Sequence, residues 1–360
     1  MKDSYLTAGI TLERLVSLLK RNPFDANPKT LARIAFLVQS AAWSSFFALI
    51  EKKRFGSLLK TVETPRDPVF IIGHWRTGST LLHQFLSKDP QLFAPTLFQV
   101  AVPDSFLVSH AYYQPVFKGL MGEHRPMDRV KIGMDEPQED EYAIYRLTCV
   151  SPLKDLVFPS SDHYFLTGSD QFLPAPDQIE NWKDQISEFY KKLSFKTRKR
   201  IISKNPFNSM RIPLLNEIFP EARFIHIHRH PYEVIPSTIH MWDILRRQNA
   251  LNKKSRRPDV TEVATFMDQM LTTIRTDLEK IPENRFTEIG FQEVLTNPQE
   301  AIRSIYQKLD LPYTPSFDQQ IKEFLPEVKR FKKNEFKPAP EEIGSIRKLL
   351  LNHMEHYRYY

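Results

Sequence analysis

The chain has 360 residues, of which 41% are hydrophobic and 26% charged, proportions ordinary for a folded globular protein. Its single cysteine, Cys149, excludes an intramolecular disulfide framework and a cysteine-built metal site, and indicates a reducing compartment. A formal net charge of +7 favours an anionic partner. The basic residues are spread along the chain, so charge alone does not choose between nucleic acid, a membrane surface and a small polyanion.

The first long apolar segment, residues 31–50, is long enough to be considered as a membrane span. Its polar and its apolar residues fall on different sides at helical spacing: Arg33, Ser40, Ser44 and Glu51 against Phe36, Trp43, Phe47 and Ile50. This amphipathic pattern predicts a helix packed on the protein's own core, with a membrane span or a membrane-surface helix as alternatives. The flanking basic run 52–54 keeps the surface alternative open. Residues 1–10 lack the pattern of a secretory signal, so we expect a cytoplasmic protein. The alternative is a cytoplasmic protein that associates with a membrane through residues 31–50.

Strands and helices alternate along the rest of the chain. In the first half of the chain, the patterns predict a strand at 67–73, a helix at 79–88, irregular structure with short helices at 91–180 and a helix at 179–195. A helix after 212, a strand at 222–228, a helix opened by Pro231 and a basic loop at 248–259 follow. The last predicted elements are a helix at 260–281, a strand within 284–295, a helix at 297–311 and a mostly helical tail at 316–360. This alternation predicts a three-layer α/β fold with a central parallel sheet and many surrounding helices. We expect a helical extension at 1–62, an α/β domain at 63–315, and a helical tail at 316–360 packed on that domain.

The loop between the first predicted strand and its helix has the glycine spacing of a phosphate-binding loop. Gly73 and Gly78 bracket four residues, and such a turn points backbone N–H groups at an anion. The lysine of a Walker A loop is replaced by Ser79, and Arg76 offers a cation from inside the loop instead. A glycine turn with an incidental arginine is the alternative. The residues expected to bind a nucleotide here are Gly73, His74, Trp75, Arg76, Thr77, Gly78, Ser79 and Thr80.

A second anion site is predicted at the end of the strand 222–228. Arg229 follows that strand, and Ser237 lies two turns into the next helix. Ligands of open α/β sheets bind at the carboxyl ends of the strands. Two such sites suit a nucleotide that carries phosphates at both ends of its ribose.

The motifs that carry these two predicted anion sites resemble motifs of the sulfotransferase family. "IIGHWRTGSTLL" is similar to the family's 5′-phosphosulfate loop, and "RFIHIHRHPYEVIPS" to its 3′-phosphate motif, with Arg229 and Ser237 eight residues apart. "KNPFNSMRIPLL" resembles the Lys-Ser/Asp-Pro segment of several branches of the family.

The late stretch "NRFTEIGFQEVLTNP" resembles the family's last strand, so the similarity covers 67–90 and 200–312. The arginine in the loop resembles that of the family's bacterial branch. Three positions depart from the family's pattern. His230 stands where Asp is frequent, and Phe291 where many members have Tyr near the adenine. The stretch 93–104 lacks the glutamate that carbohydrate and tyrosyl enzymes carry.

The resemblance implies transfer of a sulfuryl group from 3′-phosphoadenosine 5′-phosphosulfate (PAPS) to a hydroxyl or amine, with 3′-phosphoadenosine 5′-phosphate (PAP) as product and no metal required. It implies that Arg76 and Lys204 act in catalysis, that Arg229 and Ser237 hold the 3′-phosphate, and that Phe291 packs near the adenine. For Lys204 the alternative is a surface lysine in a proline turn.

The general base is sought in the acidic run 139–141, where Glu139 or Glu141 is expected to accept the proton. Capping of the following helix is the alternative role for these acids. His74 and His83 are further candidates. The acceptor is expected to be a small molecule, lipid or glycan, and the apolar stretches 31–50 and 91–120 favour a hydrophobic one.

Three other functions compete. A P-loop kinase would need the missing lysine and a magnesium carboxylate. A non-enzymatic, membrane-associated nucleotide-binding scaffold would use the helix at 31–50 and the basic surface. Nucleic-acid binding has local support in the basic loop 253–257, but we expect no nucleic-acid partner.

Overall fold

The computed structural model describes residues 6–120, 133–159, 172–252, 256–330 and 336–359. The strands are β1 (Val69–Ile72), β2 (Leu92–Phe93), β3 (Arg200–Lys204), β4 (Arg223–His228) and β5 (Phe286–Gly290). The helices are α1 (Leu12–Arg21), α2 (Pro28–Leu59), α3 (Ser79–Leu86), α4 (Leu97–Ala101), α5 (His110–Leu120), α6 (Glu141–Thr148), α7 (Lys154–Val157), α8 (Ile179–Thr197), α9 (Ile212–Ile218), α10 (Pro231–Asn249), α11 (Val260–Leu278), α12 (Phe291–Thr296), α13 (Pro298–Lys308), α14 (Pro315–Arg330) and α15 (Pro340–His356). Short 3₁₀ helices lie at Pro176–Gln178, Pro206–Met210 and Glu283–Arg285.

The chain divides into two compact units, each built from several segments. The helical unit comprises Met1–Thr64, Pro95–Arg198 and Met241–Arg257, and the sheet unit comprises Pro65–Ala94, Lys199–His240 and Pro258–Tyr360. The predicted boundaries near 62 and 315 stay a prediction. Residues 253–255 of the predicted basic loop lie outside the described residues.

A five-stranded parallel sheet in the order β2-β3-β1-β4-β5 forms the centre of the sheet unit. In the register of the sheet, Ile71 of β1 pairs with Lys204 on one side and Ile225 on the other. All four residues of β1 are buried, as expected for a central parallel strand. The parallel α/β architecture predicted from the sequence is therefore confirmed.

Helices cover both faces of this sheet. On one face Ile71 and Ile225 pack in a buried cluster with residues of α3, α13 and α14, among them Phe85 and Ile305. Because successive strand residues point to opposite faces, Phe70 lies on the other side, where its ring centroid is 5.7 Å from that of Phe219 after α9.

The strand predicted within 284–295 is confirmed as β5, and the structure adds two details to the predicted elements. The strand predicted within 284–295 ends at Gly290, and Phe291 begins α12 because the Glu293 carboxylate accepts a hydrogen bond from the Gly290 N–H at 3.0 Å. The strand β3, which the sequence patterns did not single out, places Lys204 at its carboxyl end.

The helical unit contains α2, which has 32 residues and is about 48 Å long. It is the one described helix that is long and apolar enough to cross a membrane, although 22% of its most apolar window is buried within the protein.

The inward side of α2 carries polar as well as apolar residues, since Leu37 and Ala41 are buried there too. Ser44 and Glu51 are buried, while Trp43, Phe46 and Leu49 are exposed. Ser44 and Glu51 have polar partners within the helical unit, whereas the largest apolar side chains of α2 are exposed.

Candidate functional site

The loop that follows β1 is held in its shape by two glycines. Gly73 has φ 136°, and a Cβ there would lie 2.4 Å from the carbonyl oxygen of Ile227. Gly78 has φ 92°, and its Cβ would lie 2.0 Å from Cδ2 of Phe291. Both the backbone angles and the close approaches exclude a side chain, so the glycine spacing has a steric cause.

Hydrogen bonds fix the loop at both ends. The Gly73 N–H donates to Oγ of Ser209 at 2.8 Å, and that hydroxyl donates back to the Gly73 carbonyl at 3.2 Å. Oγ1 of Thr77 donates to the His74 carbonyl at 2.8 Å. Gly78 caps α3, so the first-turn amides, starting at Ser79, lie at a helix N-terminus that favours anions.

Arg76 connects the two predicted anion sites. Its backbone is left-handed, with φ 68°, and its Nε donates to Oγ of Ser237 at 2.9 Å. Ser237 lies in α10 and is 6% exposed. The structure therefore brings the loop arginine and the serine of the second motif into direct contact.

Arg229 lies at the same place, after β4. It forms an ion pair with Glu233, donates to the Arg76 carbonyl at 3.3 Å, and stacks with its guanidinium carbon 4.5 Å from the centroid of Phe291. Since Phe291 also packs on Gly78, one ring contacts both motifs. Three segments distant in sequence thus form one cationic cluster at the carboxyl ends of β1 and β4.

Lys204 ends β3, next to Ile71 of β1, and is 3% exposed. The alternative of a surface lysine in a proline turn is wrong. The Asn205 side chain accepts the Phe207 N–H at 2.9 Å and starts the 3₁₀ helix that carries Ser209. The catalytic role of Lys204 stays a prediction.

The acidic run 139–141 lies in the helical unit, where α6 begins at Glu141. Glu141 is buried and accepts a hydrogen bond from Ser151 at 2.5 Å, while Asp140 accepts one from Tyr190 at 2.6 Å. Glu139 is half-buried. The carboxylates of Asp140 and Glu141 thus have side-chain partners, and the role of Glu139 or Glu141 as general base stays a prediction.

The two histidines named as further candidates are buried. Burial lowers the pKa of His74 to about 4, against the hydrogen bond with the Trp75 carbonyl. Burial, and then the positive charge of Lys204, lowers the pKa of His83 to about 3. Both imidazoles are therefore neutral near pH 7 and Nε2 of each is buried without a hydrogen-bond partner among the described residues.

A small cleft beside the cationic cluster is lined by two predicted residues, Thr77 and Arg229, and by others that the sequence patterns did not indicate. Thr77, His228 and Arg229 form one wall, and Tyr357 and Tyr359 from the end of the chain form another. Nδ1 of His228 is 2.6 Å from the Tyr359 hydroxyl, and its ring stacks on Tyr357 at 3.9 Å. Burial, followed by the neighbouring His226, lowers the pKa of His228 to about 3.

Glu233, the ion-pair partner of Arg229, was also missed, but it had a local signal. Glu233 follows Arg229 by four residues at the start of a helix, the spacing at which an acid and a base meet. The tyrosines of the C-terminal segment had none. In the described part of the chain, no group of three or more His, Cys, Asp or Glu side chains is placed to share a metal ion.

A parallel sheet with a glycine-bracketed loop and a helix N-terminus after its first strand defines the class of P-loop-like α/β proteins. Residues 68–315 match the sequence profile of the sulfotransferase family. The chain belongs to this family, which confirms the resemblance and decides against the P-loop kinase.

Relatives and solved structures agree with this assignment. The chain is 31% identical over 336 residues to the omega-hydroxy-beta-dihydromenaquinone-9 sulfotransferases of Mycobacterium bovis and Mycobacterium tuberculosis, covering 90% of this chain and 86% of either relative. Its fold is similar to that of a sulfotransferase from Mycobacterium avium, with a TM-score of 0.71, 17% identity, and coverage of 95% of this chain and 89% of the other. A sulfotransferase from M. tuberculosis has a TM-score of 0.58 at 13% identity, with 96% and 100% covered.

Proposed function

We propose that the chain transfers the sulfuryl group of PAPS to a hydroxyl group of a hydrophobic, lipid-like alcohol in the cytoplasm. The observation that carries the donor assignment is the contact of Arg76 with Ser237 and of Arg229 with the Arg76 carbonyl. This cluster offers cations and hydroxyls for two separate anionic groups, and PAPS carries a phosphosulfate and a phosphate on one ribose.

The residues present fit such a donor. The amides at the start of α3 lie at a helix N-terminus, where anions are favoured, and Arg76, Ser79 and Thr80 belong to the same segment. Arg229 and Ser237 would hold the 3′-phosphate, since a guanidinium fork and a hydroxyl are good phosphate donors. Phe291 would lie near the adenine.

The donor supplies an activated sulfuryl group, and the chain supplies position and charge. Arg76 and Lys204 would stabilise negative charge on the departing phosphate oxygen, the role that preorganised cations have in related group transfers. Glu139 or Glu141 would accept the proton of the attacking hydroxyl. A sulfuryl group carries less charge than a phosphoryl group, so we propose that no metal is required.

The proposed acceptor rests on the relatives. Their name describes a hydroxylated menaquinone derivative, an alcohol on a long apolar chain. The aromatic and apolar composition of residues 91–120 is consistent with an acceptor of that kind. A glycan, a polar small molecule and an amine are the other outcomes of the acceptor test.

The donor assignment is tested by nucleotide binding. We expect Arg229→Ala to weaken binding of PAP about a hundredfold, as the loss of a charged phosphate contact should, and to change 5′-AMP binding little. Arg247→Ala is the matched control, because Arg247 forms the same i,i+4 ion pair with Asp243 near the other end of α10 and its side chain is 74% exposed. Equal loss for both nucleotides would refute the separate 3′-phosphate site.

The acceptor assignment is tested with sulfur-labelled PAPS. The protein is incubated with the lipid extract and, separately, with the water-soluble extract of cells, and the labelled product is identified. We expect label in a lipid alcohol. Label confined to water-soluble products would refute a lipid acceptor, and PAP binding with no transfer to either extract would favour the non-enzymatic scaffold.

A further inference from the structure

The exposed side of α2 is apolar over most of its length. This outer face consists of large side chains that share one side of the helix: Leu31, Val38, Trp43, Phe46, Leu49 and Ile50. Leu49 is 69% exposed and Phe46 51%. A contiguous row of this kind on a soluble surface marks an interaction site, whereas scattered exposed apolar residues do not.

The inward side of α2 is tied to the helical unit by polar contacts. Arg33 donates to the carbonyls of residues 248–250 at 2.9 to 3.0 Å. The Ser44 hydroxyl is 3.3 Å from that of Tyr113. Glu51 forms an ion pair with Lys192 and accepts the Leu107 N–H at 2.8 Å. These contacts fix which side of the helix faces out, and a transmembrane position would require breaking them.

Neighbouring elements extend the outer face. Backbone amides of residues 9 and 12 donate to Ser40 and Ser45, which fixes the start of α1 against α2. Leu12 and Val16 of α1 are exposed as well. The Tyr112 ring of α5 lies 5.0 Å from the Trp43 ring. Trp and Tyr together at an apolar margin are typical of the membrane–water interface.

The exposed charges around this face are predominantly positive. The exposed basic residues of the two helices and the segments flanking them are Lys20, Arg21, Lys29, Lys52, Lys53, Arg54 and Lys60. Glu13 is the one exposed acidic residue among the described residues 6–62. An apolar face bordered by basic residues complements a bilayer whose surface is anionic.

We infer that the outer face of α2 docks on the surface of an anionic lipid bilayer, with the helix lying in the interface and its polar side still bound to the protein. This goes beyond sulfuryl transfer, and it stands whether or not the acceptor is a lipid. Burial of the apolar row in the bilayer gives affinity, and the basic residues beside it give selectivity for anionic lipid.

The first test measures co-sedimentation of the full chain with vesicles. We expect binding to vesicles of phosphatidylcholine and phosphatidylglycerol, about tenfold weaker binding to phosphatidylcholine alone, and weakening by salt. Phe46→Ser with Leu49→Ser should weaken binding at least about tenfold. The matched control, Ile343→Ser with Leu351→Ser on α15, removes equally apolar residues that are 39% and 40% exposed, and should bind like the unmodified protein.

A second variant removes charge without touching the apolar row. Lys52→Gln with Lys53→Gln should lower the preference for anionic vesicles about tenfold and leave binding to neutral vesicles unchanged. Retained PAP binding by each variant shows that it is folded. Equal vesicle binding by the unmodified protein and the two α2 variants, or no binding by any of them, would overturn the inference.

Tryptophan fluorescence gives an independent readout. Trp43 is 41% exposed, whereas Trp75, Trp182 and Trp242 are 4%, 0% and 2% exposed. A blue shift on adding anionic vesicles should therefore come from Trp43 and be absent in Trp43→Phe. Two other outcomes contradict docking at the interface: a dimer without lipid that the Phe46/Leu49 variant dissociates, and vesicle-bound protein that resists washing with high salt and alkaline carbonate.

Discussion

The loop after β1 and the segment after β4 both bring an arginine to the carboxyl end of a parallel strand, but they position it differently. In the first, backbone angles decide: φ is 136° at Gly73, 68° at Arg76 and 92° at Gly78. In the second, side chains decide, because Arg229 is held by Glu233 and stacks on Phe291.

The two regions should therefore respond differently to substitution. A region shaped by its backbone tolerates almost no change at its glycines, whereas a region shaped by side chains can be tuned through the partners of its arginine. The first region should respond to substitution in turnover and stability, and the second in affinity for the 3′-phosphate.

The largest expected effect is that of Arg76→Ala. Removing the cation closest to the proposed phosphosulfate should lower kcat about a hundredfold, the size seen when a preorganised charge-stabilising donor is lost. The measurement is the rate of label transfer from PAPS to the acceptor found in the extract experiment.

Arg76→Lys sharpens this result. A lysine keeps the charge but loses the fork and the Nε contact to Ser237, so it should recover only part of the activity. Full activity in the alanine variant would contradict the assignment of Arg76 to the reacting end of the donor.

The next effect is on stability and isolates the backbone of the first region. Gly78→Ala forces a Cβ into a left-handed position 2.0 Å from Phe291 and should lower the free energy of unfolding by about 3 kcal/mol. Gly344→Ala is the matched control: a Cβ there meets no atom within 4 Å, and α15 should gain about 0.5–1 kcal/mol. Urea unfolding of both variants measures the difference, and equal effects would contradict the steric role of Gly78.

A pH effect compares the buried His83 of α3, the helix that follows the loop, with the buried His228 at the end of β4. The pKa of His83 and that of His228 are lowered to about 3 from 6.5, mainly by burial. Between pH 6.5 and about pH 3 the unfolded chain binds more protons than the folded chain, so the free energy of unfolding falls as the pH falls through this range. Between pH 7 and pH 5 each histidine should cost about 2 kcal/mol.

Replacing either histidine should flatten this dependence. His83→Gln and His228→Gln remove one proton each from the difference between the unfolded and the folded chain. Urea unfolding at pH 7 and pH 5 measures the change in the free energy of unfolding for each variant. A profile that stays equally steep in both buried variants would contradict the burial argument.

The smallest effect tunes the second region. Glu233→Gln keeps a hydrogen-bond partner for Arg229 but removes a negative charge next to the proposed phosphate site, so PAP should bind about threefold more tightly. Calorimetric titration with PAP and with 5′-AMP measures it. Weaker PAP binding would mean that the charge of Glu233 is needed to position the arginine.

Local patterns were enough to predict much of the sheet unit. The apolar run before Gly73, the glycine spacing, and the eight residues between Arg229 and Ser237 are all short-range features. They predicted β1 and β4, and the anion sites that they indicate stay a prediction. The strand β3 was missed because its five residues begin and end with a basic residue, Arg200 and Lys204.

Long-range partners could not be predicted from local patterns. The sequence shows that α2 has a polar and an apolar side, but which side packs inward depends on Lys192, Tyr113 and the carbonyls of residues 248–250. In the same way, the contact of Phe291 with Gly78 joins two motifs that periodicity treats separately.

The pair of hydrogen bonds between Gly73 and Ser209 makes one amide of the loop a reporter. That N–H is already donated to a side chain 136 residues away, so it is withheld from any bound anion and from water. Hydrogen–deuterium exchange at Gly73 should therefore be slow even without nucleotide and should quicken in Ser209→Ala. Its exchange rate would time how often the segment carrying Lys204 separates from the loop.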